Sequence, residues 1–344
     1  MNEPNPRVMP IHLSIDIDKI KRFISRDPEP IICFYGGDPT MRIDLVRRIM
    51  DNIPAKHYVM QTNGVMLHRL EPNYIKRFDT ILLSIDGRPE VTDHYRGRGI
   101  YDKVLSRARY VWDSGFKGDL VARMAVSYKT DIYKDVTHLL SLDGLFTHVH
   151  WQLDVLWDFP PMQRYSDFDG WVRRYNRGIS RLIHLWVREM EGGRVLGIAP
   201  FKGLMWSILT GERMRYLRCG SGIDAYAITT DGRILACPIA PEFRFNVVGH
   251  IDRDDIDSIR GRALIGEPCL SCKYYDLCGG RCLFTNKTMF WGKDGFYKVC
   301  MTVFHLIDEL KKVRDRVEEL IHEDVIRLED IKYPPYTNSV EIIP

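Results

Sequence analysis

Seven of the eight cysteines lie beyond residue 218, in one ordered pattern. Cys219, Gly232 and Cys237 give C-x12-G-x4-C. Cys269, Cys272, Cys278 and Cys282 give C-x2-C-x5-C-x3-C, and Cys300 follows alone. The first ten residues are polar and proline-rich, without the apolar stretch of a secretion signal. Thiols this dense without such a signal point to metal rather than disulfides. Seven thiolates are too many for one four-coordinate ion, so they suit two centres, one with four protein ligands and one with three. Zinc and iron–sulfur clusters both take thiolates, and spacing alone leaves the two open.

Composition is that of an ordinary globular protein, with 45% hydrophobic and 28% charged residues and a net charge of +3. That balance calls for neither nucleic acid nor a membrane surface. The most charged stretch, Asp308 to Glu319, mixes its signs and reads as a solvated helix face. No run reaches the roughly 20 apolar residues of a membrane span. A reducing cytoplasm is the expected compartment, one that keeps the thiols available for metal.

The elements that must position these residues follow from two hydrophobic periods. Strands are expected at 30–35, 57–61, 80–85, 120–127 and 148–155, and helices at 42–52, 71–78, 101–113 and 132–142. Apolar strands alternating with amphipathic helices predict a parallel α/β sheet with right-handed crossovers. Such folds place their sites at the carboxyl ends of the strands. A long helix is expected over 166–192, a hairpin over 226–234 around Asp231-Gly232, and a helix over 302–322. The tail around Pro334-Pro335 reads as extended.

The cysteine pattern resembles the SPASM domain of radical S-adenosylmethionine enzymes that modify peptides and proteins. The match covers all seven cysteines and Gly232. The resemblance implies two auxiliary [4Fe-4S] clusters, one on Cys219, Cys237 and Cys282, the other on Cys269, Cys272, Cys278 and Cys300. Sulfatase-maturating members carry a further cysteine near the position of Cys219. None stands here between Tyr216 and Ala225, which implies an open iron site or a non-cysteine ligand in the first cluster.

The amino-terminal half resembles the radical S-adenosylmethionine barrel. Gly36-Gly37-Asp38-Pro39 is similar to the family's Gly-Gly-Glu-Pro turn, which binds the cofactor's amino group. Thr62-Asn63-Gly64 matches the turn after the next strand. Ser84-Ile85-Asp86-Gly87 with Arg96 is similar to the segment that contacts the cofactor's carboxylate. Each is a common turn alone. Their order at successive strand ends, upstream of the cysteine pattern, makes the set specific. The stretch from Ala122 to Val155 also looks like an archaeal-type, peptide-modifying group of this superfamily.

The expected architecture is a partial (β/α)6 TIM-type barrel lacking its first strand, with a cysteine-rich Fe–S domain behind it. Residues 1–160 would form the barrel, 161–212 a linking helical region, 213–302 the SPASM domain, and 303–344 a terminal helix and tail. The family's C-x3-C-x2-C loop is not in this sequence, whose only cysteine before Cys219 is Cys33. The expectation is an amino-terminal truncation of roughly 20 to 30 residues, a strand and a loop. Genuine loss of the cluster is the competing explanation. S-adenosylmethionine and a third [4Fe-4S] cluster are implied only with that loop restored.

The implied activity is hydrogen abstraction from a peptide or protein substrate by a 5'-deoxyadenosyl radical, fed by a low-potential electron donor. A non-catalytic Fe–S electron carrier or zinc-binding protein is the alternative. Asp154 is the candidate base for the substrate, or a strand-end cap. His148 and His150 read as packing or surface residues. Tyr35 reads as a pocket or a core aromatic, and Cys33 as a buried core residue.

Overall fold

The computed structural model describes residues 9–154, 167–239, 241–333 and 343–344. Five strands form one parallel sheet in chain order: β1 (Ile31–Phe34), β2 (His57–Thr62), β3 (Thr80–Ser84), β4 (Asp119–Val126) and β5 (His148–Leu153). The helix α1 (Ile17–Ile24) precedes β1, and α2 (Ile43–Asn52) and α3 (Pro72–Ile75) follow the first two strands. Next come α4 (Pro89–Arg96), α5 (Ile100–Asp113) and α6 (Ile132–Leu140). The expected alternation and strand count hold, and the winding is that of a partial TIM-type barrel.

Alternation along each strand sorts the side chains onto two faces. Phe34, Met60, Ile81, Leu83, Ala122 and Trp151 join the large core under the helices. Burial of each large side chain contributes about 1.5–3 kcal/mol. By register, Cys33, Gln61, Ser84, Arg123 and Gln152 fall on the opposite face, the one a barrel turns inward. Val59, Leu82 and Val121 form a small apolar layer there with Ala199 and Tyr333.

At β1 one sequence expectation fails, and one of the two readings of Tyr35 is excluded. Cys33 is exposed, not buried. β1 is the edge strand of the described sheet, so Cys33 has a strand neighbour, Val59, on one side only. Tyr35, just past the same edge, is 45% exposed and is no core aromatic.

The long helix appears as α7 (Phe168–Glu191), with Trp171, Ile179, Leu182 and Trp186 turned into the core. α8 (Ala199–Thr210) follows a single parallel bridge from Ile198 to Val149 on β5. A small antiparallel sheet follows, made of β6 (Ala227–Ile228), β7 (Arg233–Leu235) and β8 (Val247–His250). The expected hairpin turns at Gly232, whose φ of +90° suits glycine. α1 docks on this sheet. Ile17, Ile20 and Phe23 pack with Ile234, Val248 and Ile251. Ser14 donates to the Thr230 carbonyl at 2.9 Å, and Lys19 meets Asp252 at 2.7 Å.

Three short helices carry the cysteine-bearing loops: α9 (Ile256–Ile259), α10 (Tyr275–Cys278) and α11 (Leu283–Thr288). The helix expected over 302–322 is instead two. α12 (Gly292–Lys312) starts earlier and carries Cys300, and α13 (Arg314–His322) follows a break at Val313. The apolar stripe extends back through Phe296 and Val299, so burial prolongs the helix toward its amino end. α14 (Leu328–Ile331) ends the helices, and the Pro334-Pro335 tail lies outside the described residues. No helix among the described residues is long and apolar enough to cross a membrane.

Candidate functional site

Three turns meet at the carboxyl edge of the sheet. The first follows β1. Gly36 and Gly37 have φ of +91° and +34°, and an added Cβ would meet nothing within 4 Å at either. Backbone conformation, not crowding, therefore asks for glycine there. Asp38 caps the next turn by accepting from the Thr40 N–H at 2.9 Å. The same carboxylate accepts from the Thr62 hydroxyl at 2.9 Å and from the Asn63 N–H at 2.7 Å. It is thereby committed to joining the first turn to the second. An incoming ammonium would be left chiefly the backbone carbonyls of this loop as acceptors. Asn63 closes the second turn, its side chain accepting from the Val65 N–H at 2.8 Å.

The third turn follows β3. Asp86 is 1% exposed, and its Oδ1 accepts from Arg96 Nη2 at 2.6 Å and from the Ala125 N–H at 2.8 Å. Thr92 accepts from the Asp86 N–H at 3.1 Å, so α4 is pinned to the strand end. Arg96 is partly exposed, and its buried Nε has no hydrogen-bond partner among the described residues. Ser84 pairs in register with Arg123 on the inward face. Pro39 begins the short 3-10 turn 39–42 and supplies conformation rather than a polar contact.

Asp154 sits just past β5, where its Oδ2 accepts from the Ser127 hydroxyl at 3.0 Å. Its backbone N–H donates to Val126 at 2.8 Å, so strand pairing continues one residue beyond β5. The adjoining chain lies outside the described residues. His150 is fully buried. His148 meets Asp119 at 2.8 Å at the opposite end of the strands, with Lys202 Nζ 3.4 Å from its other nitrogen. Both histidines are packing residues, as expected. Burial alone would raise the Asp119 carboxyl, but His148, Thr147 and Tyr333 outweigh it and hold the pKa below the ordinary value.

None of the eight cysteines forms a disulfide. Cys269, Cys272, Cys278 and Cys300 line one small pocket that opens to solvent. Trp291, Phe296, Val303 and Phe304 give it an apolar wall. Burial pushes the Cys300 thiol up to about 12 and Cys269 to about 11, and it raises Cys278 as well. Thiols in this setting stay protonated until a metal displaces the proton. Cys219, Cys237 and Cys282 stand outside that lining. Cys237 is clamped through its backbone by Asn246, which donates to its carbonyl at 2.8 Å and accepts its N–H at 2.9 Å. Cys219 borders the same apolar cluster, and Cys282 caps α11. Among the described residues, no three cysteine, histidine or carboxylate side chains converge as ligands of a single ion.

Two arginines escaped the sequence reading. Arg218 is half-buried, its Nε donating to the Leu277 carbonyl at 2.6 Å and its Nη2 to Ser207 at 2.9 Å. Burial lowers it to about 10, and the neighbouring Cys278 acts in the opposite direction. Arg281 lines the cysteine cavity itself, and its buried Nη2 has no hydrogen-bond partner among the described residues. The only signal in the sequence was position, one residue before Cys219 and one before Cys282. Four thiols, an apolar wall and an unsatisfied cationic donor fit an anionic, sulfide-bearing cluster.

No protein-family model matches the chain. It is 22% identical over 276 residues to the cysteine-type anaerobic sulfatase-maturating enzyme of Clostridium novyi, covering 72% of each protein. It is 24% identical over 268 residues to the mycofactocin maturase MftC of Mycolicibacterium smegmatis, covering 72% of this chain and 64% of that one. Among solved structures, native anSMEcpe with bound AdoMet superposes with a TM-score of 0.67 at 17% identity, covering 88% of this chain and 90% of that one. Streptococcus suis SuiB bound to S-adenosylmethionine gives 0.53 at 17% identity, covering 78% and 65%. In sequence the chain is similar to sulfatase-maturating enzymes and a mycofactocin maturase, and in fold to anSMEcpe and SuiB.

Proposed function

We propose that this protein is a radical S-adenosylmethionine enzyme that modifies a peptide or protein. The observation that carries the reading is the cavity walled by Cys269, Cys272, Cys278 and Cys300, in a chain related to maturases. Thiolates around a lone zinc ion must converge to about 2.3 Å from one point. Thiols spread around a cavity suit a multi-atom centre better. Two auxiliary [4Fe-4S] clusters are the proposed complement, the second on Cys219, Cys237 and Cys282.

The cofactor would lie over the three turns at the sheet edge. Carbonyls of Gly36 and Gly37 would accept from its ammonium, with Asp38 and Asn63 holding that loop open. Ser84 and Arg96 would take its carboxylate, Asp86 orienting the guanidinium. With a C-x3-C-x2-C loop restored, a cluster held by it would supply the electron for cleaving S-adenosylmethionine to the hydrogen-abstracting 5'-deoxyadenosyl radical. Asp154 would accept a proton from the substrate, its carboxylate fixed by the Ser127 hydroxyl.

Iron, acid-labile sulfide and zinc per chain after anaerobic reconstitution provide the first test. About eight irons are expected, falling to about four in Cys272→Ala and likewise in Cys237→Ala. About two zinc ions without sulfide would overturn the reading. The second test joins the chain to its upstream coding sequence. 5'-Deoxyadenosine should then form from S-adenosylmethionine under strong reductant, and its absence would leave a non-catalytic metalloprotein.

A further inference from the structure

Arg281 occupies the Cys-Gly-Gly-Arg-Cys run between Cys278 and Cys282. Its φ is +50°, a left-handed conformation that a long side chain adopts only when its surroundings hold it. One holding contact is visible, from Nε to the Pro344 main-chain oxygen at 2.9 Å. That partner belongs to a short piece of chain that also reaches the barrel, where Gln152 donates to the Ile343 carbonyl at 3.0 Å. The guanidinium is thereby fixed from its outer side.

Arg281 also lines the four-cysteine cavity. No described Asp or Glu side chain pairs with it, and its Nη2 is buried without a hydrogen-bond partner. A buried guanidinium N–H left unmet is costly, and native proteins rarely keep one without a ligand to receive it. The acceptors that line the cavity beside it are the thiols and whatever they bind.

We propose that Arg281 is a positioning residue for the metal centre of this cavity, its Nη2 donating to a cluster sulfur and its charge offsetting that of the cluster. This rests on the iron–sulfur reading above. Reduction adds an electron to an already anionic centre. A cation and an N–H···S bond both favour the reduced form, so Arg281 raises the reduction potential.

The test compares Arg281→Gln and Arg281→Lys with the parent, all in a Cys237→Ala background so that the cavity cluster titrates alone. The readout is the midpoint potential from EPR-monitored titration, with iron and sulfide measured on the same samples. Arg281→Gln should lower the midpoint by about 59 mV, a tenfold change in the reduced-to-oxidised ratio of a one-electron couple. Arg281→Lys should recover part of that shift. An unchanged midpoint with intact iron content overturns the proposal. Cluster loss in Arg281→Gln but not in Arg281→Lys supports it, because charge alone separates the two. Cluster loss in both overturns it in favour of a packing role. A parent protein that binds no sulfide overturns the iron–sulfur reading itself, before any variant is compared.

Discussion

The Asp38 carboxylate accepts the backbone N–H of Asn63 at 2.7 Å, tying the turn after β1 to the turn after β2. Two loops that are 25 residues apart in sequence become one wall. Asp38→Ala removes the acceptor for Asn63, Thr62 and Thr40 together. The expected cost is about 2 kcal/mol, with a lower midpoint in urea unfolding. Unchanged stability would show that the wall holds without this carboxylate.

Asp86 and Arg96 form the other clamp of the mouth, at 2.6 Å with Asp86 buried. Arg96→Ala leaves a buried carboxylate with the Ala125 N–H as its remaining partner at Oδ1. A loss of about 3 kcal/mol is expected. Asp86→Ala combined with Arg96→Ala should cost less than the sum of the two, by about 1–3 kcal/mol. Additive costs in denaturant titrations would mean that the pair does not couple.

Gly87 and Gly36 separate crowding from backbone strain. At Gly87, φ is +117° and an added Cβ would lie 2.4 Å from the Asp135 Cβ. Asp135 is buried and held by Arg88 at 2.8 Å, so it cannot retreat cheaply. Gly87→Ala should therefore cost more than about 2 kcal/mol. At Gly36 the conformation is also left-handed but the space is open. Gly36→Ala should cost about 1 kcal/mol, from conformation alone. Equal unfolding midpoints for the two variants would contradict this ordering.

The cysteine cavity makes the metal-free protein sensitive to alkali. Burial holds Cys300 at about 12 and Cys269 at about 11, above the ordinary thiol value of about 8.5. Unfolded chains then release these protons while folded chains keep them. The stability this contributes is fully present below about pH 8.5 and is lost as pH rises toward those folded values. The slope is at most about 1.4 kcal/mol per pH unit for each thiol, and less where solvent reaches the sulfur. Urea unfolding at pH 7.5 and 9.5 under reductant checks it. Metal-loaded protein should lose the dependence, because bound thiolates have no proton to release.

Periodicity was enough for the parallel sheet. Each strand is a short apolar run closed by a turn, and burial of one face leaves little freedom in where it starts. Periodicity misplaced the start of α12, because Phe296 and Val299 continue its buried stripe ahead of residue 302. It misread Cys33 for a related reason. An apolar strand looks the same in sequence whether it lies in the middle of a sheet or at its edge, and neighbours alone decide burial.

The site divides in the same way. Cysteine spacing by itself determined that this protein holds metal-competent thiols, since ligand type and local spacing are properties of the chain. The order of the three turns likewise determined where the mouth of the sheet would be. Tertiary structure decided which four thiols share a cavity, bringing Cys300 from α12 to Cys269, Cys272 and Cys278. It also decided that Asp38 braces two turns and that Arg281 faces the cavity with an unmet N–H. Hydrogen bonds and burial join residues distant in sequence, and no local pattern of residue types encodes which partners the fold will bring within 3 Å.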